Sequence, residues 1–124
     1  MKAGAMRAAR SSTRIPESQI LREIMLALSA TRRPDGAPLV VIWRQQVGTF
    51  MGPSGHPVKV GLEGQADLGG VLANGRLLQI EVKAENGRLS EAQERWGAMV
   101  QKMGGLWIVA RSADEAVRAV RGAL

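Results

Sequence analysis

Two apolar runs, residues 67–73 (DLGGVLA) and 76–83 (RLLQIEVK), stand on either side of Asn74-Gly75. Asn-Gly between such runs is the strongest short-range signal for a tight β-hairpin, because both residues tolerate the positive φ the turn demands. The period then changes. Ser90-Glu91-Ala92-Gln93 reads as a capping box, in which the serine and glutamine side chains satisfy free N–H groups at a helix start. Ala92, Trp96, Met99, Val100 and Met103 follow on one helical face, and Gly104-Gly105 ends the helix. LWIVAR (106–111) reads as a further strand. Strand, helix and strand in this order make a right-handed crossover between parallel strands. A hairpin joined to such a crossover requires a mixed sheet, with strand 76–83 at its centre.

Upstream, Pro16 suits a first helical position, and Ile20, Leu21, Ile24 and Leu28 form an apolar stripe, predicting a helix over about 16–29. TRRPDGAP (31–38) is a basic connector. LVVIWRQQ (39–46) reads as a strand, Gly48 to Pro57 as a mobile loop, and 58–62 as a short strand. Ser112 and Glu115 form a second capping pair, opening a helix through about 122. The predicted fold is α/β, a mixed β-sheet flanked by helices in the order α-β-β-β-α-β-α, with 58–62 as a possible fourth early strand. It forms one domain over 15–124, preceded by a basic arm over 1–14. Trp43, Trp96, Trp107 and the six methionines read as core.

Composition narrows the chemistry. The 124 residues contain no cysteine, which removes disulfides and thiolate metal sites. The one histidine, His56, sits in the Gly/Pro loop, so neither a histidine-metal nuclease nor a Ser-His-Asp hydrolase has its parts. A net charge of +6 favours a polyanionic partner. The excess is concentrated in residues 1–33, with seven bases against two acids; the remainder holds ten against nine. No apolar run approaches the ~20 residues of a membrane span. The arm lacks the apolar core of a secretory signal and has the Arg/Ser-rich, acid-poor composition of a transit peptide. It is expected to touch DNA, in a cytoplasmic protein.

Along strand 76–83, Leu78, Ile80 and Val82 point one way; Leu77, Gln79, Glu81 and Lys83 point the other. Register decides what faces Glu81. A two-residue Asn-Gly loop pairs Ala73 with Arg76 and sets Asp67 opposite Val82. A three-residue loop with a left-handed Gly75, or a bulge at Gly69-Gly70, sets Asp67 opposite Glu81. In that second register two carboxylates lie roughly 5.5 Å apart by Cα spacing. Like charges so placed need a proton or a cation between them. Oxygen donors alone favour Mg²⁺ or Mn²⁺. Lys83, on the same face, could orient a nucleophile or stabilise charge on a phosphate. The chemistry expected of this register is metal-assisted phosphodiester hydrolysis; an exposed strand face carrying one acid and one base is the plainer alternative.

GQADLGG (64–70), NGRLLQIEVKAENGRLSEAQERW (74–96) and GGLWIVARS (104–112), with WRQQVG (43–48) upstream, resemble the virus-type replication–repair nuclease (VRR-NUC) family. That family belongs to the PD-(D/E)XK, restriction-endonuclease-like superfamily. The resemblance covers about residues 17–113. It departs at Ala66, where the superfamily motif has its proline, and at Gln45-Gln46, where asparagine is more usual. It implies a restriction-endonuclease-like core in which Asp67 and Glu81 hold Mg²⁺ or Mn²⁺ with the Val82 carbonyl, and Lys83 is the catalytic lysine. It also implies an acid from the first helix, Glu17 or Glu23; Glu17 is preferred because it continues the inward stripe. Gln93 matches the family's helix glutamine while also serving the capping box, and Gln65 is a candidate to line the site. Arg88, ahead of a helix N-terminus, and Arg44, at a strand end, are candidates for DNA phosphates. A solvated turn arginine and a snorkelling side chain are the alternatives for these two. The implied protein is a phage-like or bacterial endonuclease acting on branched DNA such as four-way (Holliday) junctions, in DNA repair. Its small size suits a homodimer, and no small-molecule cofactor is expected. A DNA-binding subunit of a replication or repair assembly, with weak or no catalysis, is the alternative; an RNA-cleaving enzyme is a third reading.

Overall fold

A first helix, α1 (Glu17–Ala30), buries the expected stripe of Ile20, Leu21, Ile24 and Leu28. Pro16 occupies its N-cap rather than its first turn. The computed structural model describes residues 14–46 and 48–124. The basic arm expected over 1–14 therefore lies, but for Arg14, outside the described residues.

After α1 come β1 (Val40–Arg44), β2 (Gly48–Met51), β3 (Pro57–Val60), β4 (Leu68–Leu72), β5 (Leu77–Val82), α2 (Glu91–Lys102), β6 (Leu106–Ala110) and α3 (Ala113–Gly122). The class is as expected: a mixed sheet with three helices, consistent with a restriction-endonuclease-like core. Its strands run in the order β1-β4-β5-β6, antiparallel except for the parallel β5–β6 pair that the α2 crossover imposes. Two more strands precede α2 than the α-β-β-β-α-β-α order allows. Residues 48–57, expected as a loop, instead contribute β2, which pairs antiparallel with β3 in a separate hairpin. The Gly52 N–H closes its turn onto the His56 carbonyl at 2.8 Å. Backbone pairing holds this hairpin; Phe50, Met51, Val58 and Val60 all remain exposed.

Helices α1 and α3 cover one face of the sheet, where Leu68, Leu72, Leu78, Ile80, Val82, Ile108 and Ala110 meet Ile24, Leu28, Ala116 and Val120 in the core. Helix α2 covers part of the opposite face. Its capping box is complete, with Ser90 Oγ accepting from Gln93 N and Gln93 Oε1 accepting from Ser90 N. At α3 only half of the expected box forms, Ser112 Oγ accepting from Glu115 N at 3.1 Å. The buried positions of α2 are Gly97 and Val100. Met99 and Met103, expected in its apolar face, are exposed because Gly97 lets the helix settle directly on the Trp107 ring. Trp43, also expected in the core, is 41% exposed at the uncovered end of the sheet.

The hairpin turn uses the three-residue form. Gly75 has φ +87°, and Leu72 N bonds the Arg76 carbonyl at 2.9 Å. Leu68 consequently pairs with Ile80, and pairing continues through Gly69 and Gly70 without a bulge.

Candidate active site

One step beyond the Leu68–Ile80 pair, this register sets Asp67 opposite Glu81. Both side chains emerge on the α2 face. Glu81 is only 1% exposed, and α2 reaches it first. Gln93, whose Oε1 is engaged in the capping box, donates from Nε2 to Glu81 Oε1 at 3.0 Å. One residue thus closes the capping box and reaches the Glu81 carboxylate. Asp67 is fixed from β5, its Oδ2 accepting from the Val82 N–H at 2.8 Å. Glu81 Oε2 is buried with no hydrogen-bond partner among the described residues.

A buried carboxylate in that position resists ionisation. Burial is the largest cause of a pKa raised from 4.5 to about 8. A hydrogen bond from the protonated form to Asp67, and then the Asp67 charge, push the same way; Lys83 opposes and Glu17 adds slightly. The orphaned oxygen and the displaced titration have one origin: burial of Glu81 beside a second carboxylate.

Lys83 follows β5 directly and is half-buried, with no ion pair among the described residues. Glu17 lies at the same end of the sheet, Oε2 3.4 Å from the Ala84 N–H, although its side chain is exposed rather than inward. Glu23 is instead engaged with Gln19 on the outer surface of α1. Among the described residues no three Asp, Glu, His or Cys side chains form a metal-holding group, so Glu17 is not gathered into one cluster with Asp67 and Glu81. Arg88 is exposed just past the 84–87 turn. Arg111 holds that turn, its guanidinium donating to the carbonyls of Ala84 and Gly87 at 2.6 and 2.9 Å. Arg44 is exposed at the end of β1.

Beside Asp67 opens a cavity of about 330 Å³ lined by Leu21, Arg44, Gln45, Gln46, Phe50, Gln65, Ala66 and Asp67. Gln65 lines it, its Oε1 accepting from Leu62 N. The Gly64 that opens the Gly-x-x-Asp segment has φ +79°, and a β-carbon there would overlap the Ala92 carbonyl of α2. Glycine at this position is what brings the Asp67 strand close against α2.

Sequence reasoning missed the polar floor beneath Glu81. Gln79, two residues earlier on the same face, is 2% exposed. Its Oε1 accepts from Gln45 Nε2 at 2.9 Å and from Trp96 Nε1 at 3.0 Å, and Gln45 also bonds the Ala66 carbonyl. A glutamine inside an otherwise apolar run was the available signal, since a buried amide must find partners.

Residues 56–114 match the VRR-NUC domain family. Neither the curated proteins nor the solved structures gave a match. Asp67, Glu81, Lys83, Arg88 and Gln93 fall within the matched segment, whereas Glu17 and Arg44 lie outside it. Over that segment the chain matches a VRR-NUC domain, which implies a function of the nuclease type.

Proposed function

We propose that this protein is a Mg²⁺- or Mn²⁺-dependent DNA endonuclease, acting as one domain over residues 15–124 with its basic arm on DNA. Its preferred substrate is branched DNA such as a four-way junction. The observation that carries this reading is Glu81: a buried carboxylate, an oxygen without a donor, and a second carboxylate directly across the strand pair.

The residues fit a hard divalent cation. Asp67 and Glu81 offer oxygen donors, the Val82 carbonyl at the strand end is a third, and water and a DNA phosphate complete such a shell. When bound, the ion supplies Lewis-acid chemistry to the phosphate and to water. The protein's own groups do the positioning. The Val82 N–H holds Asp67 Oδ2, and Gln93 holds Glu81 Oε1, so each carboxylate keeps its other oxygen for the cation. Lys83, two residues along the same face, orients the attacking water and offsets charge gathering on the phosphate in the transition state. Glu17 stands at the rim near Ala84, and Arg44 and Arg88 are free to take flanking phosphates. Two copies related by a two-fold axis match a symmetric junction.

Incubating the protein with labelled four-way, flap and linear duplexes, in Mn²⁺ or in EDTA, tests the proposal. Cleavage of branched substrates that requires the metal, and that Asp67→Ala and Glu81→Ala both abolish, is expected. DNA held equally well with and without Mg²⁺ and left intact would instead identify a DNA-binding subunit. Preference for an RNA competitor would reassign the substrate.

A further inference from the structure

The cavity beside Asp67 is not needed to hold a metal, and its lining has a composition of its own. Part of the lining is apolar: Leu21 from α1, Ala66, and Phe50 from the β2–β3 hairpin. The rest is polar: Arg44, Gln46, Asp67, and Gln65, whose Oε1 already accepts from Leu62 N and leaves its Nε2 to a ligand. Gln45 forms a fixed side of it, because its amide is committed to Ala66 and Gln79. Phe50 is 48% exposed, an aromatic face left open to the cavity by a hairpin that buries almost nothing.

Resting on the nuclease reading, we infer that this cavity receives one unpaired nucleotide adjacent to the scissile phosphodiester. Its base stacks on Phe50, its edge meets the Gln46 and Gln65 amides, and its phosphate lies on Arg44. The volume, about 330 Å³, falls within the range of sites that enclose small ligands. An aromatic ring, edge-reading amides and a cation around one concavity are the complement of a base with its backbone phosphate. A base in continuous duplex is stacked between its neighbours and cannot enter a pocket, whereas one at a branch point is already free or nearly so. Selection of branched DNA then has a local cause: only a substrate that can release a base beside the cut fills the cavity next to Asp67. The hairpin that the sequence reading took for a loop supplies the stacking wall.

Permanganate, which oxidises unstacked thymines, reads the inference without requiring cleavage. Full-length protein in EDTA is bound to junction and flap duplexes carrying a single unpaired thymine, placed in turn at each position flanking the branch. One position should be protected by the wild type and regain its reactivity with Phe50→Ala, while Phe50→Trp retains protection. Loss of the stack should weaken binding of that substrate roughly five-fold or more, the low end for a base–aromatic stack. Affinity for fully paired duplex should change less than two-fold. Equal permanganate patterns with wild type and Phe50→Ala, or equal loss on paired and unpaired DNA, would overturn the inference. Its failure is separable from that of the nuclease reading. Metal-dependent cleavage without Phe50-dependent protection sinks the nucleotide pocket alone. Protection without cleavage leaves the pocket standing and sinks catalysis.

Discussion

Replacing Glu81 with glutamine tests the electrostatic argument most directly, because the amide imitates the protonated acid in size and can donate toward Asp67. In the metal-free wild type the folded-state pKa of Glu81, about 8, lies above the ordinary 4.5. The unfolded chain therefore releases this proton first as pH rises. The contribution of Glu81 is complete below 4.5 and is lost as pH climbs through about 8. Within that window the slope approaches ~1.4 kcal/mol per pH unit. Between pH 6 and 8 the wild type should lose about 2 kcal/mol relative to Glu81→Gln, which has no proton to release there. For a domain of this size that corresponds to a Tm difference on the order of 5–10 °C.

Thermal and urea unfolding in EDTA at pH 6, 7 and 8, wild type against variant, measures it. The difference between the proteins isolates Glu81 from every other titrating group. The glutamine variant should be the more stable at pH 8 and the two should converge toward pH 5. Mn²⁺ should reverse the order: a cation at Asp67 and Glu81 displaces the proton, so its stabilising effect on the wild type grows with pH, and the variant should barely respond. Parallel pH profiles in EDTA would refute the reasoning, since Glu81 would then be ionised despite its burial. A variant less stable at every pH would also refute it, by showing that the site favours the carboxylate without any metal.

Three further substitutions address other parts of the site. Gly64→Ala should cost about 2 kcal/mol or more by urea unfolding, since the residue has φ +79° and a β-carbon would overlap the α2 backbone. Gln79→Leu should cost about 1–3 kcal/mol by stranding the Trp96 indole N–H and the Gln45 amide, and should shift the tryptophan emission. Lys83→Met should lower cleavage of a four-way junction at least ~100-fold, the scale of a lost transition-state donor, with binding in EDTA little changed.

Much of this arrangement could be read in advance, and the failures have specific causes. The α1 stripe, the capping box and the crossover are periodic or local signals, and each formed where the pattern put it. Register looked undecided because both loop lengths suit Asn74-Gly75. The strands themselves held the answer: a slip by one residue would carry Leu68 and Leu72 away from the α1–α3 core and onto the Glu81 face. The β2–β3 hairpin was opaque for the opposite reason. Its strands have four residues each and every side chain of β3 is exposed, so no apolar alternation marks them. Hydrophobicity alone does not fix the rotation of α2. Met99 and Met103 are apolar yet exposed, while Gly97 and Gln93, which touch the sheet and the carboxylate, carry no apolar signal.

Why a glutamate can be buried here at all follows from how α2 lies on β5. The crossover brings the helix back antiparallel to the strand, so advancing along α2 retreats along β5. Gln93 and Trp96, three residues apart on one helical face, reach Glu81 and Gln79, two apart on one strand face. Three helical residues advance ~4.5 Å and two strand residues ~6.6 Å, a mismatch that long side chains absorb. Gly69, paired with Gln79, completes the floor from the other side. A β-carbon there would collide with Gln45 Oε1 and Trp43 Nε1, so its absence lets Gln45 lean across β4 to the Gln79 amide. Helix and sheet therefore each supply a neutral donor to this polar row. Neither supplies one to Glu81 Oε2, which with the Trp107 indole N–H is one of two buried side-chain polar atoms left without a partner among the described residues. Of the two, the indole N–H calls for an acceptor, and only the carboxylate oxygen beside Asp67 would suit the proposed cation.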